Sequence, residues 1–296
     1  MASPAAEPRL SVAAGDASAS PTVCLSFDFD ALSLWIRPDG SQTPGNLSRG
    51  EFGRVGAERL LALLARHQVP ATWFIPGHTV DTFPETVRAI AAAGHEIGHH
   101  NYCHENPRTL DREGERAVIA KGIEAIERVI GSRPIGYRSP SWDVSENTLE
   151  LLIEAGFEYD SSLMAHDFVP YRPRRGDVIR ADTGVQFGTP LPLMEMPVDW
   201  SLDDFPYFGL RWSTGLVGLR TPSHVEEAWR DEFEWMCENV PGGVFILTMH
   251  PQVIGRGARL AMLDRLISSM KAQSGVRFRR MGEVARHWAT LNPLEA

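Results

Sequence analysis

Four of the chain's ten histidines, His95, His99, His100 and His104, fall within one short stretch. Imidazole is the commonest transition-metal ligand among side chains. Two imidazoles four positions apart can meet one ion on a helix face or on a tight turn after a strand. Gly94, Gly98 and Pro107 disfavour a long helix, so the stretch reads as a loop at a strand end. Far upstream, Asp28 and Asp30 close the apolar run VCLSFDF; two positions apart on a strand, they point the same way. Asp30, His100 and His104 would supply one carboxylate and two imidazoles to a divalent ion, leaving a position open for water. Zn²⁺ suits such a set best, and Co²⁺, Ni²⁺ or Mn²⁺ would tolerate it. Asp28 would then stand where it can take the water's proton. His250, before Pro251, could protonate a leaving nitrogen. Arg138 could hold the base carboxylate in its ionised form, and Asp199, before Trp200, could orient His250. Each residue alone has a plainer role: a turn cap, a surface ion pair, a core histidine. Their joint arrival at separate strand ends is much harder to ascribe to chance.

The elements that must position these groups alternate along the chain. Short β-prone runs cover Val23–Phe29, Ala71–Ile75, His95–His99, Ile135–Arg138, Phe157–Tyr159, Met194–Val198, Gly243–Met249 and Val276–Arg280. Amphipathic helices lie between them, one around Leu60–Leu64, one from Pro84 to the stop at Gly94, the longest over 110–130, and others over 145–155, 223–239, 258–272 and to about 290. Residues 37–50 read as a long loop, and the Pro- and Gly-rich stretch 163–215 as an insertion wrapping the active face. Alternating strands and helices make a parallel sheet in one domain, 21–296. Seven or eight strands favour a (β/α) barrel, and the candidate residues collect at C-terminal strand ends, where such barrels place their chemistry.

Composition bounds the partners. The chain has 296 residues and a net charge of −9, so nothing favours nucleic acid or an anionic membrane surface. No apolar run approaches a membrane span. Three scattered cysteines form no disulfide framework and suit a reducing, cytoplasmic setting; Cys103 reads as a small buried hydrophobe. Residues 1–20, rich in Ala, Ser and Pro without a continuous apolar core, read as a disordered tail rather than a secretory signal.

With these pieces in place the chain resembles the polysaccharide deacetylases of the NodB-homology group, carbohydrate esterase family 4, from about Thr22 to Trp288. Five motifs occur in the family's order: Ser26-Phe27-Asp28-Phe29-Asp30, His100-Asn101-Tyr102-Cys103-His104, Arg138-Ser139-Pro140-Ser141-Trp142, Val198-Asp199-Trp200 and Leu247-Thr248-Met249-His250. The spaced aspartates and the phrases His104-Glu105-Asn106-Pro107 and His250-Pro251-Gln252 are similar to the branch of Helicobacter-type peptidoglycan deacetylases and cyclic imide hydrolases. The resemblance implies a distorted barrel and selects His100 and His104 over the equally spaced His95 and His99. It further implies a homo-oligomer, dimer or tetramer, and substrate contacts from Trp142 and Trp200. The expected activity is metal-dependent hydrolysis of a non-peptide carbon–nitrogen bond, foremost N-deacetylation of an N-acetylated sugar. Opening of a cyclic imide or ureide on the same site is one alternative, and a non-catalytic sugar- or metal-binding barrel another.

Overall fold

A computed structural model describes residues 20–36, 43–211 and 215–294. The tail expected over 1–20 lies outside these save for residue 20, and so do residues 37–42 of the expected loop. The chain opens with strand β1 (Thr22–Asp28), an apolar run whose alternate residues serve two faces. Val23, Leu25, Phe27 and Phe29 join the large apolar cluster shared with the helices. Cys24 joins a smaller cluster with Phe74, Tyr159, Met194 and Ile246. Ser26, Asp28 and Asp30 follow Cys24 along that same side.

Helix α1 (Pro44–His67) begins inside the stretch expected as a loop. Thr43 caps it by accepting from the Asn46 N–H, and Pro44 occupies the first turn, where its missing N–H is no loss. Its glycines look like loop residues in sequence, yet they serve close packing. A Cβ on Gly56 would lie 2.0 Å from the Pro251 carbonyl oxygen. Strand β2 (Thr72–Ile75), helices α2 (Gly77–Thr82) and α3 (Pro84–Ala92) and strand β3 (Glu96–His99) follow. Helix α4 (Arg112–Ile130) is capped by Asp111 and stopped by Gly131 at φ 73°, a left-handed position that favours glycine. Strand β4 (Gly136–Tyr137), helix α5 (Thr148–Glu154) and strand β5 (Tyr159–Asp160) continue the alternation.

The stretch expected as an insertion does more than wrap the site. It holds a two-stranded pair, β6 (Arg174–Arg175) and β7 (Thr189–Pro190), but also β8 (Met194–Glu195), which pairs in parallel with β5. Helix α6 (Asp204–Phe208) and the pair β9 (Leu210–Arg211) and β10 (Leu216–Val217) complete it. Helix α7 (Pro222–Asn239), strand β11 (Val244–Met249), helices α8 (Pro251–Ile254) and α9 (Gly257–Ala272), strand β12 (Arg277–Phe278) and helix α10 (Met281–Leu291) end the chain.

All eight sheet strands run parallel, in the order β11-β1-β2-β3-β4-β5-β8, with β12 joining β1 beside β2. Among the described residues no ladder joins β8 to β11. There the Val244 N–H donates to the Phe168 carbonyl, and Asp203 makes a parallel bridge with Thr248. The result is the distorted (β/α) barrel that the alternation of elements leads one to expect. No helix among the described residues is long and apolar enough to cross a membrane.

Candidate active site

Parallel register brings the strand ends level. Phe27 pairs with Met249, Asp28 with Phe74, Ile75 with His99 and His99 with Tyr137. The residues just past those pairs, His250, His100 and Arg138, therefore arrive beside Asp28 and Asp30. Asp30 Oδ1 lies 3.4 Å from His100 Nε2 and 3.9 Å from His104 Nε2. These three residues form a group whose ligand atoms could share one ion.

The donor set fits a divalent cation on three observations. Asp30 Oδ1 is buried and has no hydrogen-bond partner, an expensive state for a carboxylate oxygen unless a cation meets it. The Arg138 carbonyl lies 2.7 Å from His100 Nδ1, which places that nitrogen's hydrogen there and turns Nε2 toward Asp30, as outer partners of ligating histidines do. Burial lowers the His104 pKa to about 4 against the pull of Asp30, so its imidazole is neutral and its lone pair is available. Burial opposes charge on Asp30 too, but His104, His100 and His250 prevail and hold its carboxyl below the usual carboxylate range.

The histidine loop is strained and braced. Asn101 and His104 both sit at positive φ, 56° and 58°. Glu105 Oε2 accepts from the N–H groups of Tyr102 and Cys103 at 3.2 and 2.7 Å. Asn101 donates to the Glu105 carbonyl at 2.9 Å and accepts from the Tyr137 hydroxyl at 2.9 Å. His95 and His99 take no part. His99 is fully buried against the Ile119 carbonyl, with a pKa lowered to about 3 by burial, and His95 accepts from the Ala71 N–H.

On the other side of Asp30, Arg138 donates to Asp28 Oδ1 at 2.8 Å and to Ser26 Oγ at 3.0 Å. Its remaining N–H groups go to the Ser161 carbonyl and hydroxyl and to Met281 Sδ, and its guanidinium lies 4.3 Å from the Phe74 ring centroid. A fully buried arginine is thus satisfied on every side, and Asp28 Oδ2 is left facing His250 Nε2 at 4.0 Å. His250 Nε2 is also 3.9 Å from Asp30 Oδ2. Burial acts against charge on this imidazole, but Asp203 and Asp204 raise its pKa well above the ordinary value.

The orienting partner of His250 differs from the one expected. Asp199 caps the short turn at Trp200–Leu202, accepting from the Ser201 N–H at 2.6 Å. Asp204 instead stands 2.7 Å from His250 Nδ1 and also accepts the His250 N–H at 3.0 Å, with Asp203 3.6 Å from Nδ1. Asp204 opens α6, which packs on α8 and β11, so the helix delivers the carboxylate that the Asp-Trp motif does not. Sequence reading passed over Gln252 as well. It is buried, and its amide nitrogen donates to Asp30 Oδ2 at 3.2 Å, the oxygen that His100 and His104 do not face. The only sequence signal was its place in the phrase His250-Pro251-Gln252.

Trp142 and Trp200 meet ring to ring, centroids 4.3 Å apart and 35° from parallel. Trp142 is buried while Trp200 is 47% exposed, so the pair offers one aromatic face to solvent. Cys103 is half-buried, its thiol pKa pushed up to about 11 by burial and Glu105, so it is a poor thiolate ligand.

A model of the family described as polysaccharide deacetylase matches residues 44–159. The peptidoglycan deacetylase of Helicobacter pylori is 37% identical over 284 residues, covering 92% of this chain and 97% of that protein. A peptidoglycan deacetylase-like protein of Gibberella zeae is 34% identical, covering 84% and 80%. A crystal structure from Mycobacterium smegmatis, provisionally assigned to the polysaccharide deacetylases, superposes with a TM-score of 0.81 at 37% identity, covering 100% of this chain and 97% of that one.

Proposed function

This chain belongs to the polysaccharide deacetylase family, and on that premise we propose that it hydrolyses the acetamido carbon–nitrogen bond of an N-acetylated sugar, releasing acetate and an amine. The observation that carries the reading is a carboxylate and an imidazole, two groups suited to proton transfer, held together beside one cation cradle. Asp28 Oδ2 and His250 Nε2 face each other 4.0 Å apart, both beside Asp30.

Asp30, His100 and His104 would hold the cation, which supplies Lewis acidity and lets water act as a nucleophile near neutral pH. Asp28 accepts the proton of the attacking water through Oδ2, since Arg138 occupies Oδ1. The water oxygen bonds to the acetyl carbon, and the carbon–nitrogen bond then breaks. His250, held charged by Asp203 and Asp204, gives its proton to the departing nitrogen. Trp200, stacked on Trp142, offers its face to the sugar ring.

Zinc is the ion that two imidazoles and a carboxylate favour. Three free cysteines accord with a reducing compartment such as the cytoplasm. Exposed Ile179 and Phe187, near the β6–β7 pair, would suit contact between copies in a homo-oligomer.

The deciding experiment measures acetate release from chito-oligosaccharides by zinc-loaded protein, beside ring opening of succinimide and hydantoin. Acetate release is expected. Ring opening without acetate release would overturn the sugar reading in favour of a cyclic imide hydrolase, and inertness toward both would leave a binding barrel.

A further inference from the structure

Adjacent strands β5 and β8 present two fully buried carboxyl groups to each other, Asp160 and Glu195, paired in the ladder register. Each has one satisfied oxygen. Asp160 Oδ1 accepts from the Ser162 hydroxyl at 2.7 Å; Glu195 Oε1 accepts from the N–H groups of Ser162 and Leu163 at 2.9 and 3.0 Å. The other two, Asp160 Oδ2 and Glu195 Oε2, are buried without a donor. Two bare carboxylate oxygens on ladder-paired residues in a dry interior are untenable, and one shared proton resolves both.

The contacts of this pair lead to the site. Ser162 Oγ accepts from the Ser139 N–H at 2.8 Å, holding the turn after β4 that ends in Trp142. The neighbouring Ser161 receives two of the Arg138 N–H bonds, and Arg138 in turn holds Asp28. We propose that Asp160 and Glu195, bridged by one proton, are a positioning pair that locks the Ser161–Ser162 backbone and so holds Arg138 on Asp28. The proposal rests on the reading of Asp28 as the base.

The charged and titratable groups facing the pair are Tyr137 from β4, Arg138 just after it, and Tyr171 from the loop after β5. Burial raises the pKa of both acids, with the charge of Asp160 adding to the effect on Glu195; Arg138 acts the other way on Asp160. A carboxyl whose folded pKa is raised adds stability that is full below the unfolded value and lost as pH rises through the folded one. An amide in place of either acid supplies a permanent N–H donor to the facing oxygen, with the same net charge as the protonated pair.

The test compares wild type, Glu195→Gln, Glu195→Ala and Asp160→Asn as zinc-loaded proteins. Melting temperatures from about pH 5 to about pH 9 should show the two amide variants gaining on wild type as pH rises. Glu195→Ala should lower kcat on the order of 10-fold or more with KM unchanged, and Glu195→Gln should restore it. Melting curves that stay parallel across pH, or equal loss of kcat in Gln and Ala variants that bind zinc normally, overturn the proposal. A widening melting difference in a protein without turnover supports the shared proton and counts instead against the proposed function.

Discussion

Asp204 holds both the side-chain Nδ1 and the backbone N–H of His250, 46 residues further along the chain, at 2.7 and 3.0 Å. With Asp203 beside it, this carboxylate keeps the imidazole charged in spite of burial. A raised pKa keeps the proposed acid protonated at neutral pH, and activity should fail as pH rises through that pKa. Replacing Asp204 with Asn removes the carboxylate that touches Nδ1. The alkaline limb of kcat should therefore move to lower pH, toward the ordinary histidine value of about 6.5. Asp199→Ala removes only a turn cap and should cost about 1 kcal/mol in stability while leaving the profile in place. Superimposable profiles for wild type and Asp204→Asn would remove Asp204 from the mechanism.

The proposed base and a proposed metal ligand should separate by phenotype. Asp28→Asn keeps the histidines and Asp30 intact, so zinc content should stay stoichiometric while turnover drops by about 10²–10⁴-fold. His104→Ala should lose zinc itself. Elemental analysis of the purified variants beside acetate release distinguishes the two, and near-normal turnover in Asp28→Asn contradicts its role as base.

Gln252 fixes Asp30 through Oδ2, leaving Oδ1 to His100 and His104. Outer partners of metal ligands typically contribute a factor of about 10–100 in affinity. Gln252→Ala should weaken zinc binding by that amount, read by competition with a chelator of known affinity. An unchanged dissociation constant would reduce the Asp30 contact to packing.

Trp200 presents an exposed aromatic face stacked on a buried neighbour. If that face binds the sugar equally in ground and transition states, Trp200→Ala should raise KM and leave kcat nearly unchanged. Steady-state kinetics on oligosaccharides of increasing length would measure the split; a pure kcat loss argues for a role nearer the reacting atoms.

Much of the framework could be read from local pattern. The run VCLSFDF, the apolar GVFILTM before His250, and the Gly131 stop carry their meaning in adjacent residues, because strand alternation and helix capping are short-range effects. Only the C-terminal part of helix α1, around Leu60–Leu64, is legible in sequence; its first turns read as loop because Gly50, Gly53 and Gly56 look like loop residues until their close approach to Leu32, Ala31 and Pro251 is known. The β-prone run Met194–Val198 does hold a strand, β8, but only over Met194–Glu195, and its place beside β5 in the main sheet has no local signal in a Pro-rich stretch.

The chain by itself determined which chemical groups end the strands: aspartates after β1, a run of histidines after β3, an arginine after β4 and a histidine after β11. Tertiary structure alone decided which of them meet. It turned His99 into the helix layer and His100 toward Asp30, brought Asp204 rather than Asp199 to His250, and carried Gln252 across 222 positions to the first strand. The physical reason is that element type follows from neighbours in sequence, whereas hydrogen-bond partnership between buried groups depends on how the strand ends converge when the sheet curls.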